Sequence, residues 1–414
     1  MKTKTTTNLL QPLALVLLAL CAWPARADVI MDWNGRADAL AVEQRQTPVN
    51  HSRTLAMVHV AMFEAVNAIE QRYQPYRLKL ITDHNTSKEL AAAVAGHDVL
   101  LGLFPTQKES LDTLLAQTAD GIAEGPARQR AILLGRKAAA DLLALRAEDG
   151  SDAGEAWRPV TQPGVYIPTT IPLGSTVPGY KPWVMTSASQ FRPGPPPSLT
   201  SETWTRDLNE IREVGGLTSK TRTPEQTAIA KFWFQTGPRT YNPFVRHLAT
   251  AKQMDLVDCA RLYALVTVAA ADSFIAVFDG KYAYNFWRPV TAIRDADQTG
   301  NPATPRDATW MPLGETPMHP EYPCAHCISS AAVAAVLIGI VGDDVGEITL
   351  TSPSAPGVTR RWSRISDYRD EVSNARVWAG FHYRFSTEVG RDMGRKIGEL
   401  TVATQMLPKK PGRK

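Results

Sequence analysis

Apolar residues at helical spacing recur along almost the whole of this chain, and that periodicity most constrains its fold. In residues 53–70, Leu55, Val58, Ala61, Met62, Ala65, Val66 and Ile69 fall on one helix face. Similar patterns predict helices over 87–104, 106–122 and 126–147, then 206–213, 224–235, 254–279 and 327–341. Two more cover residues near 365–382 and 386–404. Thr223-Pro224-Glu225 supplies a cap and a first-turn proline for one of them. Alternation of apolar and polar residues is confined to 347–351 and 358–365, which predicts one small hairpin. The expected class is all-α, made of helical bundles with at most that β-hairpin. No repeat of solenoid length is present.

Between Asp149 and Thr203 the chain turns rich in Pro, Gly, Ser and Thr, including the run Arg192-Pro-Gly-Pro-Pro-Pro197. This predicts a long extended excursion, either a cover over a site or an interdomain wrap. The expected organisation is a leader over 1–27, a helical region over 28–148, the Pro/Gly-rich region over 149–205 and a C-terminal helical domain over 206–408.

The leader reading rests on Lys2 and Lys4, the apolar run Leu9–Trp23, and the small residues of Ala25-Arg26-Ala27. This is a secretory signal, with cleavage before Asp28 and export as the consequence. Losing Lys2, Lys4 and Arg26 brings the formal net charge of +4 closer to neutral. A near-neutral chain has no broad basic field for nucleic acid, so any strong positive potential must be local. Outside the leader no apolar run is read as reaching the roughly 18 residues of a membrane span, so no integral membrane protein is expected. No pattern sets the oligomeric state, and a homo-oligomer is compatible with the sequence.

Three segments place charged residues where core helices should be bland. In Lys281-Tyr-Ala-Tyr-Asn-Phe-Trp-Arg288-Pro289 two cations are seven residues apart, two turns of a helix. Pro289 disfavours helix at Arg288, which places that cation at a helix end. Converging cations in apolar surroundings call for a shared anion, although two snorkelling surface cations also fit. The tetrapeptide Trp157-Arg158-Pro159-Val160 repeats Trp287–Val290 without a paired cation, so Arg158 reads as a structural loop residue. In the second segment, His319-Pro-Glu-Tyr-Pro-Cys-Ala-His326-Cys327, prolines lead into an apolar helix whose N-terminus suits an anion. His326 stands at that mouth, as a proton carrier or as a helix-capping residue. The third, Arg376-Val-Trp-Ala-Gly-Phe-His382, separates its cation and histidine by six residues, about 120° off register on a straight helix.

Apart from Cys21, the cysteines are Cys259, Cys324 and Cys327, an odd count that outlines no disulfide framework. Cys324-x-x-Cys327 is open as a redox dithiol or half a zinc site. No second CxxC accompanies it, and Cys327 reads as a core residue of the following helix.

Lys-x6-Arg-Pro, Pro-x-x-His and Arg-x5-His in this order resemble the vanadium-dependent haloperoxidase and type-2 phosphatidic acid phosphatase superfamily. The run His319-Pro-Glu-Tyr-Pro323 resembles its haloperoxidase branch. The segment Thr223–Pro243 and the Arg53–Asn67 helix are similar to secreted bacterial members. The resemblance implies vanadate as cofactor, with phosphate able to occupy the same site. It implies that Lys281, Arg288 and Arg376 bind oxyanion oxygens, with Cys324 and Ala325 where the family has Ser-Gly. His382 would be the vanadium ligand or a phosphatase nucleophile, and His326 the acid/base. His319 and Phe278 would flank the halide side. Ser386 stands where many members have an Asp that orients the histidine, with Glu388 or Glu371 as substitutes. Hydrogen peroxide and halide are the implied substrates. A soluble acid phosphatase acting on a phosphate ester through His382, or a non-catalytic oxyanion-binding helical protein, are the alternatives.

Overall fold

The computed structural model describes residues 29–235 and 237–409. The predicted leader and its cleavage site lie outside them. The N-terminal helices are α1 (Val29–Glu43), α2 (Pro48–Glu70), α3 (Lys88–Leu103), α4 (Lys108–Ala119) and α5 (Pro126–Leu145). Then come α6 (Glu202–Val214), α7 (Pro224–Phe232), α8 (Pro238–Ala251), α9 (Leu256–Tyr284) and α10 (Pro289–Arg294). The chain continues with α11 (Ala325–Val341), a hairpin of β1 (Asp344–Ser352) and β2 (Ala355–Arg364), and α12 (Ile365–Trp378) and α13 (Arg384–Thr404). The two strands pair antiparallel, Ile348 opposite Trp362, with an irregularity near each end. The all-α class with one small hairpin is what the periodicity predicts.

Three helices, α1, α8 and the short α10, are not in the sequence reading. Pro243 lies inside α8 and reads as a breaker, yet Tyr241, Phe244, Val245 and Leu248 bury one face around it. Packing overrides local preference there. Several ends also shift. α2 starts five residues before Arg53, because Thr47 accepts a hydrogen bond from the Asn50 amide and Pro48 fits the first turn. α7 opens with a reciprocal capping box between Thr223 and Gln226.

Helix α9 forms the centre, packed by α2, α11 and α13. It is long and apolar enough to cross a membrane, contrary to the expectation of no such run, but its apolar window is wholly buried inside the protein. Its apolar surface is therefore covered by neighbouring helices. On α13, Gly390, Gly394 and Gly398 form a stripe at helical spacing. A Cβ at Gly394 or Gly398 would overlap the Ile328 or Ala332 carbonyl oxygen of α11. The stripe lets these two helices touch backbone to backbone, which fixes α11 beside the site.

Residues 149–201 of the excursion carry no strand or α-helix, α6 beginning at its end with Glu202, and the excursion is tied to α9 along its length. Asp272, fully buried, accepts hydrogen bonds from the amides of Trp183, Val184 and Met185 at 2.7, 2.8 and 2.8 Å. Arg192 pairs with both carboxylate oxygens of Asp279 at 2.7 and 2.6 Å. The Tyr282 hydroxyl donates to the Leu173 carbonyl and the Tyr284 hydroxyl to that of Pro193. The contacts to Asp272 and Asp279 satisfy carboxylates that burial would otherwise strand.

Candidate active site: a buried cationic cradle

The seven-residue spacing of Lys281 and Arg288 does not place them on one helix. Helix α9 ends at Tyr284, with Asn285 in the left-handed conformation as its cap, and Arg288 is the extended residue preceding α10. The chain reverses between them and brings both side chains inward. Arg376 and His382 are also separated by a break, not by an off-register helix. α12 stops at Trp378, and Gly380 takes φ +80° where the chain passes the Gly215 carbonyl too closely for any side chain.

Lys281, Arg288, Arg376 and His382 are at most 1% exposed. The Lys281 ammonium donates to the carbonyls of Pro320 and Glu321 at 2.8 and 2.7 Å. Arg288 donates to the carbonyls of His319 and Phe381, both at 2.9 Å, and its Nη1 lies 3.2 Å from His382 Nε2. Its Nη2 lies 3.0 Å from His319 Nδ1. Arg376 donates to the Trp233 carbonyl at 2.6 Å and stacks its guanidinium 4.7 Å from the Phe381 ring centre. Among the described residues, the other two donor nitrogens of Arg376, Nε and Nη2, have no hydrogen-bond partner and are buried.

The carboxylate of the site is Glu321, which the sequence reading passed over. Its Oε1 accepts from the Tyr383 amide at 3.2 Å and lies 2.8 Å from His382 Nδ1. It therefore does the orienting expected of Glu388 or Glu371. Glu388 is exposed, and Glu371 is engaged by Arg360, Trp233 and Trp362. Ser386 lies close enough to Glu321 to lower its pKa. The available signal was an acidic residue between two prolines in a segment otherwise assigned to chemistry.

Burial lowers the pKa of Lys281, Arg376 and His382 well below their ordinary values, and the neighbouring cations lower them further. The same burial brings Arg288 down to about 10. Burial pushes Glu321 up, while Lys281 and Arg288 pull it down. With Glu321 ionised and His382 neutral, Nδ1 carries the proton donated to the carboxylate, and Nε2 presents its lone pair to the cradle.

Cys324 caps α11, and the following residues Ala325 and His326 provide the amides of its first turn. Cys324 and Cys327 are joined in a disulfide. This corrects the reading that the cysteines outline no disulfide, while Cys327 is fully buried as a core residue. A disulfide sulfur has no S–H to donate, so the Ala325 amide is the donor left from that pair. His326 Nε2 lies 3.1 Å from the Gln235 carbonyl. Donation there requires a proton on Nε2, leaving Nδ1 as the basic atom. His319 and Phe278 meet edge to face with ring centres 5.3 Å apart. Arg158 is exposed and donates to its neighbour's carbonyl, outside the cradle.

His319, His326 and His382 with Ala325 lie along a cleft of about 540 Å³. Leu173, Gly174, Thr176, Val177 and Tyr180 from the excursion line one side of it. The excursion thus covers the site. Among the described residues no group of three or more His, Cys, Asp or Glu side chains is placed to hold a bare metal ion. The cradle is built for an anion.

The family model of the VCPO second helical-bundle domain matches residues 261–408, which contain all three motifs. Curated vanadium chloroperoxidase from Curvularia inaequalis is 28% identical over 279 residues, 50% of this chain and 45% of that protein. The crystal structure of the first bacterial vanadium-dependent iodoperoxidase superposes with a TM-score of 0.81 at 25% identity. That match covers 93% of this chain and 98% of the other. Together these likenesses support the vanadium-dependent haloperoxidase and type-2 phosphatidic acid phosphatase superfamily. Holo-type bacterial vanadium-dependent chloroperoxidase shares the fold, with a TM-score of 0.64, 19% identity and coverage of 86% and 92%. The chain spans under half the length of its curated chloroperoxidase relative and nearly all of the iodoperoxidase structure.

Proposed function

We propose that this chain is a vanadate-dependent haloperoxidase that oxidises halide with hydrogen peroxide. One observation carries the reading. Three buried cations surround a histidine that a buried carboxylate orients, and two donor nitrogens of Arg376 have no partner among the described residues. Such an excess of buried positive charge is costly unless an anion shares it. A tetrahedral or trigonal-bipyramidal oxyanion has the charge and the acceptor oxygens to do so, so the residues fit vanadate. Phosphate fits for the same reason.

Lys281, Arg288 and Arg376 would hold the oxyanion oxygens, together with the Ala325 amide. Their carbonyl contacts fix where the remaining N–H groups point, which is preorganisation of the kind that stabilises developing charge. His382 would present Nε2 as the protein ligand, and Glu321 keeps that ring in one tautomer and orientation. Bound there, vanadate supplies a Lewis-acid centre that activates hydrogen peroxide toward halide without changing oxidation state. His326 takes or gives a proton at Nδ1, and burial holds its pKa well below the usual histidine range. His319 is kept neutral by burial beside Lys281 and Arg288. It can therefore face a halide without adding a mobile proton.

The test is paired. Purified chain is loaded with vanadate and assayed for peroxide-dependent oxidation of iodide, bromide and chloride. The vanadate-free chain is assayed for hydrolysis of p-nitrophenyl phosphate. Halide oxidation that disappears in His382→Ala is the expected result. Phosphate release without halide oxidation would establish the phosphatase reading instead, and anion binding with neither activity the non-catalytic one. Export is proposed from residues 1–27 alone. N-terminal sequencing of protein recovered outside the cytoplasm should begin at Asp28.

A further inference from the structure

The cleft above the cradle is far larger than hydrogen peroxide and a halide need. A water molecule occupies about 30 Å³ of liquid, whereas the cleft holds about 540 Å³, within the range of organic-ligand pockets. Its lining is mostly apolar and includes the rings of Tyr180, Phe234, Phe274 and Phe278 besides those of the histidines. Gly174 lies against Phe278, and a Cβ there would overlap the ring, so the excursion closes tightly on that wall. Among the described lining residues there is one carboxylate, Glu315, and no lysine or arginine. Glu315 is exposed and so available to a ligand entering from solvent.

We propose that this cleft binds an electron-rich aromatic ring bearing a cationic amine, and that Glu315 selects the charge. The inference rests on the haloperoxidase reading for its chemistry. Hypohalous acid formed at the cradle meets the bound ring before it escapes. The aryl C–H bond breaks and a C–halogen bond forms. The ring proton leaves with the hydroxide displaced from halogen, so HOX and ArH give ArX and water. Phenylalanine faces favour both an aromatic ring and a nearby ammonium. A carboxylate-bearing ring would instead meet Glu315 as a like charge.

Binding is measured by calorimetry on phosphate-saturated protein, without peroxide or halide, so that the cationic floor is filled. The probes are tyramine and 4-hydroxyphenylacetate, which share a phenol and differ in charge. Tyramine should bind about fivefold more tightly, the size of one partly exposed charge pair. Glu315→Gln should bring the two probes together, and Thr316→Trp, on the same lining, should weaken both. Equal binding of the two by the native chain, no saturable binding, or indifference to Thr316→Trp would overturn the proposal. Because the readout needs no turnover, a failure of halide oxidation leaves it standing. Halide oxidation without ring binding overturns the cleft alone.

Discussion

Glu321 Oε1 lies 2.8 Å from His382 Nδ1, across 61 residues of chain, and both side chains are fully buried. The same oxygen takes the Tyr383 amide. Glu321 therefore positions His382 through both its ring and its backbone. Glu321→Gln should lower vanadate affinity and halide oxidation by about 10–100-fold, the usual cost of losing an outer partner of a ligating histidine. Affinity measured by calorimetry separates this from a general loss of folding, which melting temperature would show.

The unpartnered Nε and Nη2 of Arg376 predict a strong preference for arginine at this position. Arg376→Lys keeps the charge but offers no planar fork. Phosphate and vanadate affinity should fall by at least tenfold, about 1.4 kcal/mol. In the native chain, phosphate at 100 times its dissociation constant should add about 2.7 kcal/mol of stability. A thermal shift by phosphate that survives intact in Arg376→Lys would count against the cradle.

Anion binding should be accompanied by proton uptake. In the free site burial and mutual repulsion hold Lys281, Arg376 and His382 below their ordinary pKa values. A bound anion favours their charged forms and so raises those values. Protons are then taken up on binding, and affinity falls as pH rises from the free-site values to the raised values of the bound site. Calorimetry of phosphate binding in buffers of different ionisation enthalpy reads the sign directly. Proton release would contradict the assignment.

Gly174 takes φ +79° against the ring of Phe278. Gly174→Ala places a methyl group into that ring and imposes left-handed strain. A loss of about 1–3 kcal/mol is expected, measured by chemical denaturation. The damage should centre on the excursion, so proteolysis within 149–203 should quicken before the rest of the chain is affected.

The Cys324–Cys327 disulfide and the anion site predict opposite effects of one substitution. Cys324→Ser breaks a short cross-link, which costs about 2 kcal/mol by the chain-entropy argument. It also restores a hydroxyl donor next to the Ala325 amide. Melting temperature should fall while vanadate affinity holds or rises. A complete loss of affinity would show that the disulfide itself shapes the site.

The sequence by itself determined most of the helices, because amphipathic spacing and caps such as Thr223 act over a few residues. It also marked Lys281, Arg288, His326, Arg376 and His382, since charge in apolar surroundings is visible in one dimension. Pro289 also put Arg288 at a helix end, where it stands, but helical phase misjudged how the residues meet. Lys281 and Arg288 converge around a helix end, and Arg376 and His382 across the turn at Gly380, where helical phase no longer applies. Only the tertiary structure decided that Glu321 is the partner of His382, that Cys324 and Cys327 are joined, and that the 149–203 excursion covers the cleft. These are long-range pairings set by burial. A carboxylate or a loop amide takes whichever partner leaves it satisfied in the core, and local sequence does not encode that choice.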